Sequence, residues 1–311
     1  MDSAVYSQSN WIAIKVAELH YIQGKSQKEI ASLLNISEST TSRLVRRARE
    51  EGIVGFVIRD PYMNCISLAN DLKENFGLKD VVVVPTGKVP PLSVRMMVAR
   101  ESANYLQRVL NPDDILGISW GRTVFHLFQY FDIRQRFNIP FISLHGCDTR
   151  AFSAALQTTN ALGGKNYTII CEDFFASENP DRIKHDEITK GIFAFFDQIT
   201  ISISGVGSLY PVTESLLFKH LSSEQIESIL NMDAYGEMML RFFDKDGQEC
   251  KSGFADHAMS ISFEKYRKIP RKIVVASGAN KAHAISAVLR GKLADVLIVD
   301  YDLAKGILEL P

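Results

Sequence analysis

The sequence predicts an α/β protein in two parts: an N-terminal three-helix helix-turn-helix head and a larger C-terminal unit on a mostly parallel sheet. Three observations predict it. Residues 11–50 carry three helical patterns, separated at Gly24 and at a tight Asn35-Ile36 turn. From about residue 60, short continuous apolar runs alternate with helical stretches, the rhythm of βαβ units. The segment 26-SQKEIASLLNISESTTSRLVRRARE-50 is basic in a chain whose formal net charge is −1. The expected boundary is Arg59-Asp60-Pro61, with 1–58 as the head and 59–311 as the body.

Ile12, Val16, Leu19 and Ile22 recur three or four apart, giving one apolar stripe on a helix over 11–23, which Gly24 ends. Ser26 N-caps a second helix, 27–34, with Glu29 three residues on to complete a capping box. Ile30, Leu33 and Leu34 supply its buried face. Ser37 caps a third helix, 38–50, whose stripe is Thr41, Leu44 and Ala48. Gly52 stops it, and 53–58 reads as a strand.

In the body, VVVVP (81–85), DILGIS (114–119), PFISL (140–144), ITISIS (199–204), RKIVVAS (271–277) and ADVLIVD (294–300) are continuous apolar runs. Strands covered on both faces look like this. Helices are expected over 93–110, 122–131, 213–230 and 280–291, and Asp246-Gly247 suggests an added hairpin.

Composition narrows the function classes. A length of 311 residues suits about two domains, and 46% hydrophobic with 23% charged residues is ordinary for a globular chain with a real core. A net charge of −1 excludes a general polycation, so any nucleic-acid surface must be local. No run approaches the roughly 18 apolar residues of a membrane span. The start MDSAVYSQSN has neither a basic n-region nor an apolar h-region, so a cytoplasmic protein without membrane contact is expected. The four cysteines are scattered with no CxxC pair, which suits reduced thiols and argues against a zinc site. No metal and no cofactor is expected.

Two short helices joined by a tight turn form a helix-turn-helix, whose second helix enters the major groove. Between 25 and 49 six basic residues face only Glu29 and Glu38, a local excess opposed to the global charge. Ser37, Ser39, Thr40 and Ser42 sit at or near the start of the third helix, where short side chains allow close approach to DNA. Arg43 lies one turn further, within reach of a guanine edge. Arg46, Arg47 and Arg49 are assigned to phosphates, and Lys28 adds to the basic surface from the second helix. The bland reading is an amphipathic helix with a solvated basic face. Glu38, Glu50 and Glu51 weigh toward it, since they repel phosphate.

The segment 21-YIQGKSQKEIASLLNISESTTSRLVRRAREEGIV-54 resembles the DNA-binding head of the SorC family of bacterial sugar-responsive transcription regulators. The resemblance continues through 113-DDILGISWGRTV-124, 204-SGVGSL-209, 236-GEMMLRFFDKDG-247 and 273-IVVASGANKAHAISAVLRGKLADVLIVDYDLAKGIL-308, and so covers nearly the whole chain. It implies a tetrameric regulator of a carbohydrate or polyol operon, with operator DNA and a sugar, polyol or sugar phosphate as partners. It also implies a Rossmann-like body similar in fold to sugar-phosphate isomerases and glucosamine-phosphate deaminases, binding its effector without turning it over.

Ligands of open parallel sheets bind beyond the carboxyl ends of the strands. Three small glycine-bearing loops follow such strands here: 119-SWGRT-123, 204-SGVGS-208 and 277-SGANK-281. Their backbone amides can approach an anion closely, and the first and third open into helices. Candidate effector residues are therefore Gly121, Arg122 and Thr123, then Gly205 and Gly207, then Ser277, Gly278, Asn280 and Lys281. In the resembling family the lysine matching Lys281 is a ligand residue. For any single loop, the glycines equally serve a tight βα turn.

A fourth loop, 144-LHGCD-148, adds His145, Gly146, Cys147 and Asp148. Some members of the family carry there a lysine able to form a Schiff base. His145 cannot form a stable imine, so it is expected to hydrogen-bond a ligand hydroxyl or to titrate near neutral pH. Cys147 replaces a glycine and is expected to behave as a small hydrophobe. Glu237 stands where the family has Asp, moving the carboxylate by one methylene, about 1.5 Å.

Two other classes stay open at this level. An isomerase or deaminase with an appended helical module would need a general base, for which Asp148, Glu172 and Asp173 are candidates. A non-DNA adaptor would use helices 11–50 as a dimerisation surface.

Overall fold

The computed structural model describes residues 8–55, 63–119, 121–131, 138–146, 163–168, 187–210, 218, 221–251 and 258–311. The chain divides into two compact units, Met1–Asp60 and Pro61–Pro311.

The first unit is a three-helix head. Helix α1 spans Gln8–Ala17 and opens into a π turn, Glu18–Ile22. Helix α2 spans Gln27–Leu34 and α3 spans Glu38–Glu50. The capping box forms as its sequence requires: the Glu29 amide donates to Ser26 Oγ (3.3 Å) and the Ser26 amide to Glu29 Oε2 (2.8 Å). Asn35, at φ 53°, ends α2 in the left-handed conformation that Asn tolerates, and so sets the tight turn. Ala13, Val16, Leu19, Ile30, Leu44 and Val45 form the core of the head, with Thr41 and Ala48 buried beside them.

Three expectations are corrected here. Ile22 is 81% exposed and Leu33 59% exposed. The π turn takes Ile22 off the stripe, and Ala13 fills the core instead. No strand forms over 53–55, where the chain bends back so that the Val54 amide donates to Ala48 O (2.9 Å); residues 56–58 lie outside the described set.

The second unit carries a seven-stranded sheet in the order β1-β10-β9-β5-β2-β3-β4, parallel throughout. The strands are β1 Asp80–Val84, β2 Leu116–Ser119, β3 Ile139–Ser143, β4 Gly163–Tyr167, β5 Ile201–Ser204, β9 Arg271–Ala276 and β10 Val296–Asp300. The helices are α4 Met63–Phe76, α5 Pro91–Val109, α6 Arg122–Leu127, α7 Glu187–Phe195, α8 Ser223–Leu230, α9 Phe263–Arg267, α10 Ala282–Arg290 and α11 Tyr301–Leu308. Successive strand residues feed opposite faces. Val274 and Leu297 join the core under α4, α10 and α11, while Ile273, Val275 and Ile298 join the core under α5 and α6. Burial on both faces explains why these strands read as unbroken apolar runs.

Strand β4, 163-GGKNY-167, was not legible: it sits at the sheet edge, half exposed, with no apolar pattern to mark it. Helices α4, α7, α9 and α11 also lie outside the sequence expectation.

A small antiparallel sheet joins β6 (Gly207–Ser208), β7 (Gly236–Met238) and β8 (Arg241–Phe243). The expected turn at Asp246-Gly247 exists, with Gly247 at φ 69°, but it closes only a single bridge, Phe243↔Glu249. The regular hairpin is β7–β8, which turns at Met239 and Leu240, both at positive φ (55° and 63°). Asn-Gly is the usual signal for such a turn, so this one was missed.

Candidate functional site

On the head, the start of α3 is organised by hydroxyl groups. Ser37 Oγ accepts the Thr40 amide at 3.1 Å and lies 2.9 Å from Ser39 Oγ and 2.8 Å from Thr40 Oγ1. Ser37 and Ser39 are exposed, Thr40 and Ser42 half-buried. Lys28, Arg43 and Arg46 are exposed, and among the described residues none of the three side chains is engaged in a hydrogen bond or ion pair. They are available to a partner. Arg47 departs from its expected place on the phosphates. Its Nε donates to Glu51 Oε1 at 2.7 Å and its Nη2 to Asn10 Oδ1 at 2.9 Å, tying α3 to α1. That pairing raises the Arg47 pKa and removes Glu51 from the acids that oppose DNA.

On the body, the loops after β2, β5 and β9 meet at the carboxyl ends of the strands. Strand β2 runs on to β3 on one side, while β5 lies on its other side, so the order reverses between them. Such a switch point opens a crevice. The loops there approach closely: a Cβ on Gly121 would lie 3.8 Å from Gly205 Cα. Thr123 is buried behind Arg122, which is exposed.

Lys281 Nζ donates to Val206 O at 2.6 Å, joining the third loop to the second. Ser208 Oγ donates to Asn280 O at 3.4 Å. Gly278 takes φ 101°, which glycine alone adopts without strain, and its amide donates to Asp300 Oδ2 at 2.6 Å. This third loop opens into a short 3₁₀ turn, Ala279–Lys281, before α10 begins. Ser277 is half-buried beside it.

Glu237, on β7, pairs across the small sheet with Gly207. A Cβ at Gly207 would come within 2.8 Å of Glu237 Oε1, so only glycine leaves room for the carboxylate there. Burial pushes Glu237 up to about 7 against the pull of Lys281 and of the Leu240 amide, which donates to it. The β7–β8 turn is what aims that amide. Lys281 is pushed down to about 8, first by burial and then by the Arg122 charge, with Arg95 adding to the effect and Glu237 and Asp300 opposing it.

The structure thus brings together Arg122, Lys281, Glu237 and the loop glycines, and adds Arg95 and Asp300, which the sequence did not flag. Arg95 stands in the helix after β1. A side chain one turn into a helix carries no glycine-loop signature, so the sequence does not mark it.

His145 is corrected. It is 8% exposed, bridges Ser260, and places Nδ1 2.7 Å from Gly146 O. Burial holds its pKa at about 4, so it stays neutral at physiological pH and does not titrate near 7. Gly146 is buried and its amide donates to Met259 O at 2.7 Å. Trp120, Cys147, Asp148, Glu172 and Asp173 lie outside the described residues.

Comparison with known proteins bears on both units. A sugar-binding domain family model matches residues 60–309, and a sigma-70 region 4 model matches 17–51. The chain is 28% identical over 309 residues to the deoxyribonucleoside regulator of Bacillus subtilis, covering 95% of this chain and 96% of that protein. It is 26% identical over 307 residues to the sorbitol operon regulator of Klebsiella pneumoniae, covering 96% and 98%. The crystal structure of full-length SorC from Klebsiella pneumoniae superposes with a TM-score of 0.74 at 25% identity, over 98% of this chain and 100% of that one. These matches extend over both units, and the chain belongs to the SorC family of transcription regulators with a sugar-binding domain.

Proposed function

We propose that this chain regulates transcription of a carbohydrate or polyol catabolic operon. Residues 1–58 are the DNA-reading head, and 59–311 bind a sugar, polyol or sugar phosphate and carry the oligomer contacts. On this reading Lys28, Arg43 and Arg46 face operator DNA, with Ser37, Ser39, Thr40 and Ser42 at the base edges and nearby phosphates. Arg122, Thr123, Glu237, Asn280 and Lys281 face the effector.

One observation carries the proposal: a capped helix with uncommitted arginines and a cationic strand-end crevice occur in one chain. The named functions of the relatives support it. An effector acts only through unequal affinity for DNA-competent and DNA-incompetent arrangements. The body is therefore a sensor, and it performs no turnover. The protein works in the cytoplasm as a dimer or tetramer, two heads reading half-sites about 10 bp apart or a multiple of that.

The test is fluorescence anisotropy on DNA from upstream of the gene, at stated salt, with free and phosphorylated sugars and polyols titrated in. The expected result is nanomolar-range binding that one compound class shifts. Failure to prefer that DNA over random sequence, or turnover of a sugar phosphate by the same preparation, rejects the proposal.

A further inference from the structure

Strand β10 ends on a carboxylate that serves two elements at once. Asp300 N-caps α11, its Oδ1 accepting the Leu303 amide at 3.1 Å. Its other oxygen, Oδ2, accepts the Gly278 amide of the third glycine loop at 2.6 Å. A cap needs one oxygen, and serine or asparagine supplies it as well as aspartate. Asp300 is 1% exposed and, among the described residues, forms no salt bridge. Burying a carboxylate in this way costs stability, and burial accordingly raises its pKa. Capping alone does not account for that cost, whereas the loop amide uses the second oxygen. Helix α11 extends the connection. It packs against the 3₁₀ turn of the same loop, where a Cβ on Gly306 would lie 3.9 Å from Ala279 O. It also packs on α4, with Leu303, Ala304 and Ile307 in one core with Cys65 and Leu72. Asp302, in its first turn, accepts the Thr86 hydroxyl at 3.0 Å and so adds the loop after β1. Residues 77–79 alone join α4 to β1, on which it packs, so α4 runs antiparallel to that strand and begins at the carboxyl end of the sheet. Its far end is fastened, because Lys292 Nζ donates to Phe76 O at 3.1 Å. In sequence, Pro61 and Tyr62 alone separate α4 from Asp60, where the first unit ends.

We propose that Asp300 is a positioning residue for the DNA response: it transmits a displacement of the third glycine loop to α11 and α4, the helix from which the chain leaves for the head. This rests on the reading of 59–311 as an effector domain. A compound seated against Asn280 and Lys281 displaces the 277–281 loop and with it the Gly278 amide. A buried donor left without its acceptor is costly, so the carboxylate follows the amide. The same carboxylate holds the Leu303 amide, so the first turn of α11 follows in its turn. Close packing in the shared core passes the shift to α4 rather than absorbing it. With Phe76 fastened, the movement is delivered at the start of α4. Without the Gly278–Asp300 bond, a compound fills the crevice and has no unequal interaction with the two arrangements of α4.

The experiment compares the full chain with Asp300→Ser and Asp300→Asn, and circular dichroism checks that each folds; either variant suffices. Serine keeps the cap and is too short for Gly278, while asparagine has one accepting oxygen for two amides. In the first arm, anisotropy on DNA from upstream of the gene is read with and without saturating fructose 6-phosphate, sorbitol 6-phosphate, fructose or sorbitol. Calorimetry follows the same compounds on the protein alone. A compound that shifts wild-type DNA affinity by at least about fivefold should still bind the variants, yet shift their DNA affinity by less than about twofold. The second arm uses no compound. Gly278→Ala displaces the loop, because alanine does not tolerate φ 101°. Amide exchange over residues 64–70 of α4 should then speed up by at least about fivefold in the wild-type background and by less than about twofold in Asp300→Ser. Equal shifts of DNA affinity in wild type and Asp300→Ser overturn the relay and leave the regulator reading standing. Loss of compound binding in both variants makes Asp300 a ligand residue and overturns it as well. So does exchange in α4 that is unchanged by Gly278→Ala, or changed equally in both backgrounds. Should no compound in the panel shift wild type, the regulator reading loses support and the exchange arm alone decides the relay.

Discussion

At the scale of single residues, two side chains have roles that position in the sequence did not decide. His145 is an ordinary loop histidine until the bridge to Ser260 buries it. Its folded pKa of about 4 lies below the unfolded 6.5, so the native state resists a proton that the unfolded chain accepts. Stability conferred by the neutral imidazole is complete above pH 6.5 and is lost as pH falls toward 4, by up to about 3 kcal/mol. Glu237 has the opposite slope: its folded pKa is raised, so ionising it costs stability as pH rises from 4.5 to about 7. The two overlap, and a variant is needed to separate them. Urea unfolding of His145→Gln should show a flatter loss between pH 6.5 and 4 than wild type; parallel curves would refute the buried-histidine account. On the head, Arg43 and Arg46 should behave differently although both are exposed. Arg43→Ala should cost about 1–3 kcal/mol on the operator and relax preference at one base pair. Arg46→Ala should weaken all sequences alike and lower the salt slope by about 1. Anisotropy titrations on operator and random DNA at several salt concentrations check the pair, and identical profiles would contradict it.

At the scale of elements, local chemistry was legible where a residue acts on its own neighbours. Ser26 with Glu29, Asn35, Ser37 and the two helices they bound appear as their spacing predicts, because capping is an exchange of hydrogen bonds within four residues. The unbroken apolar runs became buried parallel strands for an equally simple reason: both faces are covered. The β7–β8 hairpin and the edge strand β4 escaped notice because neither has a local marker. Met239 and Leu240 hold positive φ while almost fully buried, so packing imposes the turn rather than their own preference. Gly247 shows the same tertiary control. It has φ 69°, and a Cβ there would lie 2.3 Å from Ala287 O and 2.7 Å from Gly291 Cα. Gly247→Ala must strain the turn and push α10 away from it. The expected cost is more than about 1 kcal/mol, read as a lower denaturation midpoint with the slope unchanged. A neutral substitution would mean that the turn and α10 do not approach so closely.

At the scale of the whole molecule, the proposed coupling between effector and DNA is a free energy shared by two sites, and it must be reciprocal. Lys281→Ala should weaken effector binding and raise the effector concentration needed for half-maximal change in operator occupancy, both by about the same factor. Calorimetry and anisotropy on one preparation check it; an unchanged dose response would remove Lys281 from the effector site. By itself the sequence determined the helix-turn-helix, the parallel sheet and the glycine loops at its strand ends, since each depends on residues adjacent in the chain or on a repeating apolar pattern. Only the tertiary structure decided that Arg47 is spent on Asn10 and Glu51, that His145 is buried and neutral, and that the charges of Arg122 and Arg95 both depress Lys281. Burial and through-space charge set those outcomes, and both depend on neighbours as far apart in sequence as Arg95 and Lys281, which no local pattern records.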